Sequence, residues 1–479
     1  MSKIIIATNH QPQIVTRLQL LTAEGKHISL ETRQVNDFRA TVRGEVLLPT
    51  DHAYESARKI YNAMIDKRPS LIVQCANAAD VVSAVRFARR HGLLAAVRGG
   101  GHNVAGKAVC DGGLMIDLSP MKEIHVDEEG RRALAGPGLR LGEFDRATQV
   151  YELATPLGIV SNTGIAGLTL GGGIGWLNGK FGLACDNLLS VEVVTAEGQI
   201  LKADPDVNQD LFWAVRGGGG NFGVVTSFEY RLHHMASVIG GMLLYPIQKA
   251  RQVLSSYDTF ARKAPDELTT AAALLTGPNG DAVVAVLVCY SGPVEEADKI
   301  LGPLRTFAPP LADLIRPMKY LEMQSILDQG YPPGRLHYWK SGFIKELSEE
   351  AIDTMTRHHA VKPSPLTAIV LQQVHGAAAR VGPAQTAFPH RKSQYDFEVL
   401  SQWTGDTKSE ENVQWTRKLY ESMQPFLERG VYVNSLGEEG EDRVRAAYGQ
   451  NFDRLVELKR KYDPTNFFRL NQNIRLEAG

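Results

Sequence analysis

Val97-Arg98-Gly99-Gly100-Gly101-His102-Asn103 leaves a short apolar run, LLAA at 93–96, and its reading decides the fold. Three consecutive glycines at a strand end can turn successive backbone N–H groups toward one anion, forming a nest that suits a pyrophosphate. The histidine that follows is held beside whatever the loop binds. By itself such a segment is also the pattern of a glycine turn next to an ordinary surface histidine, so the neighbouring sequence has to decide.

Outward from this turn, glycine clusters recur at Gly112-Gly113, at Gly171-Gly172-Gly173 with Gly175, and at Gly217 to Gly220. Between them lie strand-like segments: LMIDL (114–118), VEVVTA (191–196) and VVTSFEYRL (224–232). Glycine runs at strand ends mark positive φ or a backbone that approaches a ligand closely. A flexible linker would be Gly/Ser-rich, with no apolar strands between the clusters. Gly218-Gly219-Gly220-Asn221-Phe222-Gly223 spells the dinucleotide fingerprint GxGxxG. That motif needs a helix directly after the glycines, and a β-branched strand pattern follows here. Upstream, residues 47–69 show helical spacing ending at Pro69, and 71–92 read as strand, break and helix closed by Gly92. Past residue 240 the clusters stop, and strands such as AVVAVLVCYSG (282–292) and QYDFEVLSQW (394–403) alternate with helices. An amphipathic helix is expected over 443–463. Residues 1 to about 40 carry no motif.

The chain has 479 residues, 43% apolar and 22% charged, ordinary for a globular protein with a large core. With 52 Lys+Arg against 53 Asp+Glu, no global field favours nucleic acid or an anionic membrane. No window reaches the ~18 apolar residues of a membrane span, and the N-terminus lacks the apolar core of a secretory signal. A cytoplasmic protein is expected. Cys75, Cys110, Cys185 and Cys289 are widely spaced without a CxxC pair, so neither a metal site nor a disulfide framework is expected.

Seven ordered segments resemble the berberine bridge enzyme-like flavoproteins of the vanillyl-alcohol-oxidase superfamily, whose FAD module is the PCMH-type domain. They are RGGGHNVAG (98–106), DGGLMIDLS (111–119), AGLTLGGGIGWL (166–177), KFGLACDNLLSVEVVTAEG (180–198), DLFWAVRGGGGNFGVVTSFEYRL (210–232), FPHR (388–391) and YDPTNFFRLNQNI (462–474). The likeness spans about Gly44 to Ile474. It implies an α+β fold in two domains: a PCMH-type FAD-binding domain over 40–240, an inserted antiparallel-sheet substrate domain over 241–429, and a C-terminal segment, 430–479, that completes the first.

The resemblance also implies residue roles. His102 would carry FAD covalently through the flavin 8α-methyl, with the pyrophosphate on Gly99, Gly100 and Gly101. Arg98, Asn103, Gly164, Gly167, Thr169, Gly171, Gly172, Gly173, Gly175, Gly223 and Val224 would line the cofactor, and Asn471 to Asn473 would be a strand closing over it. A second attachment point, a cysteine in many members, is Val160 here, so a single link is expected. Thr163 occupies the position that gates oxygen. In Tyr432-Val433-Asn434-Ser435, a serine stands where members carry a catalytic tyrosine, and a serine cannot act as a phenolate does; Tyr432 is itself a candidate catalytic residue. The base must come from elsewhere. Asp396 and Glu398, two apart on a strand, point to one face, and Glu398 falls where the family places its catalytic carboxylate or glutamine. Burial would raise such a carboxyl toward general-base values. Arg335 to Ser341 supply softer pocket candidates; His390 and Arg391 read as structural.

The implied activity is an FAD-dependent oxidase. It would take a hydride from a C–H of a small alcohol, sugar, amine or natural-product intermediate and reduce O2 to H2O2. A dehydrogenase using another acceptor and a catalytically silent flavin protein are the alternatives. No metal and no nucleic-acid or membrane partner is expected, and the oligomeric state stays open.

Overall fold

Around the triple-glycine turn, strands Leu71–Gln74, Leu114–Asp117 and Ala95–Arg98 lie parallel in that spatial order, with Glu45–Leu47 antiparallel on the outer edge. This arrangement comes from a computed structural model that describes residues 17–405 and 407–476. Helix Ala78–Arg90 makes the crossover. Asn77 caps its N-terminus by accepting from the Asp80 amide, Val81, Ala84, Val85 and Ala88 face the core, and Gly92 ends it at φ +62°. Parallel neighbours need such a crossover, which is why the strand–helix–strand pattern of 71–98 was legible.

A second, antiparallel sheet runs in the order Ile200–Ala203, Leu188–Val194, Val224–Arg231, Arg132–Ala135, Ile124–Asp127. Only a 3-10 turn, Gly219–Asn221, precedes Val224–Arg231, so the GxGxxG string lacks its helix as expected. Residues from the C-terminal helices, Leu455, Leu458 and Tyr462, close the core beneath this sheet with Val191, Phe212 and Phe228.

The eight-stranded antiparallel sheet is built from strands between Ser237 and Trp403. Helices Ala250–Ala261, Glu349–Ala360 and Ser409–Met423 cover one face, where Tyr257, Met355 and Leu419 pack on Phe397 and Val399. The other face gathers Ala271, Ala273, Val370 and Leu400 with Trp176 and Leu177 of the glycine-rich half. Both faces being covered, strand Gln394–Trp403 is buried along its whole length.

Three local expectations fail. Within 47–69 only Tyr54–Ala57 is helical. The backbone beyond it bonds distant loops instead, Tyr61 to Gly101 and Ala63 to Arg335. The helix expected over 443–463 is two, Glu441–Tyr448 and Phe452–Tyr462, broken at Gly449 with φ +47°. Asn471 to Asn473 form no strand; Asn471 Nδ2 donates to Gly220 O at 3.0 Å and Gln472 Nε2 to Leu436 O at 2.8 Å. Residues 17–40, which carry no motif, form a hairpin and helix whose Leu20, Leu30, Val35 and Phe38 are buried; residues 1–16 lie outside the described ones. All four cysteines are buried and free. Among the described residues there is no metal-binding cluster and no helix long and apolar enough to cross a membrane.

The C-terminal return is held by a charge pair. Lys459 Nζ lies 2.6 Å from Asp463 Oδ2, both side chains sealed from water, and Asp463 also accepts from the amides of Phe467 and Phe468. Removing one partner strands a buried charge, at a cost of about 3–5 kcal/mol. Lys459→Met is expected to lower stability by that amount; a urea midpoint equal to wild type would contradict it.

Candidate active site

The cradle is made by two glycines that touch. A Cβ on Gly100 would sit 2.4 Å from Gly164 Cα, and one on Gly164 would sit 2.6 Å from Gly100 Cα. The triple-glycine turn and the 160–167 loop therefore meet backbone to backbone. The Arg98 guanidinium is held by protein groups, the Asp117 carboxylate and the Ala57 and Lys59 carbonyls, so it braces the strand ends. His102 is partly buried, with its Nε2 sealed from solvent and without a hydrogen-bond partner. Desolvation, and then the Arg140 charge, pull its pKa down to about 4, so the imidazole is neutral at physiological pH.

A cavity opens between this cradle and the face of the eight-stranded sheet that carries Val370 and Leu400. Gly99, Gly100, Gly101, His102 and Asn103 line it, as do Val160, Thr163, Gly164, Gly167, Gly223, Val224 and Asn471. Trp339, Gln372, Glu398 and Leu400 face them from the sheet, with Tyr432, Asn434 and Ser435 alongside. Other expected cofactor residues do not reach the cavity wall. Thr169 Oγ1 pairs with the Tyr230 hydroxyl at 2.8 Å. Gly171 abuts Asn434, Gly172 abuts Phe388, Gly173 abuts Ala184, and Gly175 abuts the Leu157 carbonyl. These glycines make room for protein, and a sequence cannot tell that need from room for a ligand. Asn473 likewise lies off the wall, its Oδ1 buried without a partner.

Asp396 and Glu398 do share a face. Asp396 stands opposite Phe343 and Gln372, Glu398 opposite Ser341 and Val370, while Phe397 and Val399 point into the helical side. Glu398 reaches the cavity and Asp396 lies off its wall, with neither carboxyl oxygen partnered. Burial raises both pKa values, and the Glu398 charge raises Asp396 further. Ser435 Oγ donates to Glu398 Oε1 at 2.6 Å, which favours the ionised form and opposes part of that rise. The Tyr432 hydroxyl accepts from the Gly173 amide at 3.0 Å and from Asn434 Nδ2 at 2.8 Å. Burial raises its pKa as well, so it stays a phenol that anchors the glycine loop.

Sequence reasoning missed three residues here. Ser435 was set aside as no base, yet it is the donor to Glu398; no spacing signal joins residues 37 apart. Asn62 ties the loop that follows His102 to the sheet, donating to Val104 O at 2.8 Å and His337 O at 3.0 Å. Tyr61 stacks on His102, ring centroids 3.9 Å apart. His390 and Arg391 hold structural partners, the Ala447 carbonyl and Asp186.

The chain matches the family model described as FAD binding domain over residues 69–204, and that described as berberine and berberine like over 431–475. A FAD-linked oxidoreductase of Dictyostelium discoideum is 34% identical over 449 residues, 93% of this chain and 97% of the relative. (R)-6-hydroxynicotine oxidase of Paenarthrobacter nicotinovorans is 30% identical over 459 residues, 91% of this chain and 98% of the relative. The solved structure of 6-hydroxy-D-nicotine oxidase from Arthrobacter nicotinovorans superposes with TM-score 0.84 at 30% identity, covering 91% of this chain and 98% of that one. Physcomitrella patens BBE-like 1 gives 0.85 at 25% identity, covering 93% and 100%. Fold and cavity thus define an FAD-dependent oxidoreductase of PCMH-type architecture. The chain belongs to the berberine bridge enzyme-like family of FAD-linked oxidoreductases.

Proposed function

We propose that this protein is a single-link flavin oxidase in which His102 carries the FAD and Glu398 is the general base. The observation that carries this reading is Glu398, a buried carboxylate in the cavity wall, held at Oε1 by Ser435 and facing the loop of His102. The residues present fit FAD: Gly99 to Gly101, Gly164 and Gly167 bring bare backbone to the cavity wall, and His102, whose Nε2 is buried and unpartnered, lines it too. Gly99 to Gly101, Gly164, Gly167, Gly223 and Asn471 would hold the cofactor.

FAD, when bound, takes the hydride of a substrate C–H and passes the electrons to oxygen, giving hydrogen peroxide. The chain orients and deprotonates. Glu398 receives the O–H or N–H proton of a small substrate at its carboxylate, and Ser435 keeps that carboxylate aimed and partly ionised. Burial and then the Glu398 charge raise the Asp396 pKa, which favours a pair carrying one charge over a pair carrying two. Val370, Leu400 and Trp339 shield the site from water. Val160 has no thiol to form a second link. Thr163, small and polar in the cavity wall, leaves an opening for oxygen. The (R)-6-hydroxynicotine oxidase relative is named for such an activity. The domains are proposed as 40–240 with 430–479 for FAD and 241–429 for substrate, and the location as cytoplasmic.

A panel of small alcohols, sugars and amines, mixed anaerobically with the protein, tests this. A substrate that bleaches the flavin, followed by peroxide when air is admitted, is the expected outcome. Bleached flavin that only an artificial acceptor restores would make the protein a dehydrogenase.

A further inference from the structure

Tyr61 occupies a place the proposed chemistry does not use. Its ring lies between two imidazoles: His102 at 3.9 Å and 18° on one side, His337 at 4.6 Å and 22° on the other. Trp339 closes the cluster edge-on to His337, at 5.7 Å and 88°. Neither ring nitrogen of His337 has a hydrogen-bond partner, nor does His102 Nε2. Such imidazoles are ordinarily oriented by a hydrogen bond to the second nitrogen; His337 has none, and the stack with Tyr61 orients it. Desolvation lowers His337 to about 3 and His102 to about 4, so both rings are neutral and nothing repels within the column.

The peptide that carries Tyr61 is itself pinned. The Tyr61 amide donates to Gly101 O at 2.9 Å, beside His102, while Tyr61 O accepts from Gly334 N at 3.2 Å. Asn62 bonds Val104 on one side and His337 on the other. One short segment therefore fixes the flavin loop, the stacked ring and the edge of the substrate sheet together.

We propose that Tyr61 is the positioning residue for flavin attachment: its ring, clamped between two imidazoles, holds His102 in the orientation from which the bond to the flavin forms. This rests on the His102 link proposed above. The attachment makes one C–N bond, between an imidazole nitrogen and the 8α carbon, and breaks one methyl C–H and the imidazole N–H. The two electrons pass through the flavin to dioxygen, which leaves with both protons as hydrogen peroxide. A neutral imidazole provides the lone pair, and a misplaced one forfeits the near-attack geometry.

The test follows acid-stable flavin and total bound flavin against time as FAD is added to protein produced under riboflavin limitation. Tyr61→Phe keeps the ring faces and is expected to attach flavin as wild type does. Tyr61→Leu and Tyr61→Ala are expected to bind flavin but to attach it about 100-fold more slowly. Attachment at the wild-type rate in both overturns the proposal while leaving the His102 link intact. Loss of total flavin in step with the acid-stable fraction in both also overturns it, since Tyr61 would then be only structural. Wild-type protein with no acid-stable flavin removes the link and this role together.

Discussion

Acid precipitation of the wild-type protein is expected to carry the yellow colour into the pellet, and His102→Ala to release all of it to the supernatant. The nucleophile must be neutral, at the cavity wall and not already engaged. The His102 imidazole meets all three conditions: its pKa is pulled down to about 4, it lines the cavity, and its Nε2 has no partner. No cysteine competes among the described wall residues, because Val160 stands where a second link would form and all four thiols are buried elsewhere. Burial raises the thiols of Cys75, Cys110, Cys185 and Cys289 as well, leaving them unreactive. The effect is all-or-none per chain, and intact mass measures it directly. A wild-type supernatant that takes the colour would refute the link.

Replacing Glu398 by Gln is expected to slow flavin reduction about 10²- to 10⁴-fold, the usual contribution of a positioned base. That is about 2.7–5.5 kcal/mol of barrier. Stopped-flow bleaching by whichever compound reduces the wild-type flavin gives the number; a rate near wild type would remove Glu398 from the mechanism. The pH profile gives an independent check. Burial raises the Glu398 pKa, so the active carboxylate appears only as pH climbs above the ordinary carboxylate range. Rate should rise through that pH, and the rise should vanish in Glu398→Gln. Ser435→Ala removes a donor that favours the charged form, and should move the rise to higher pH. The same shift has a stability consequence. A carboxyl whose folded pKa exceeds its unfolded one contributes stability that is complete below the unfolded pKa and lost as pH rises through the folded one. Glu398→Gln should therefore lose less stability than wild type as pH rises above the ordinary carboxylate range.

Local pattern alone determined a good deal of this protein. Helix Ala78–Arg90 announces itself by apolar period, an asparagine cap and a terminal glycine, and Val224–Arg231 by β-branched residues that exclude a dinucleotide helix. The two-residue period placed Asp396 and Glu398 on one face, because alternate side chains of a strand share a side whatever surrounds them. The ordered glycine segments fixed the family and FAD. Tertiary structure decided the rest. Residues 58–69 have helical spacing but spend their hydrogen bonds on loops near Gly101 and Arg335, partners that exist only once the chain has folded. Gly171, Gly172, Gly173, Gly175 and Gly164 look alike in sequence and each abuts protein where a Cβ would stand, yet of these only Gly164 lies at the cavity, a difference that the packing of the loops makes. The Ser435 bond to Glu398 and the Tyr61 stack on His102 join residues 37 and 41 positions apart. Short-range periodicity carries no information across such distances, and packing does.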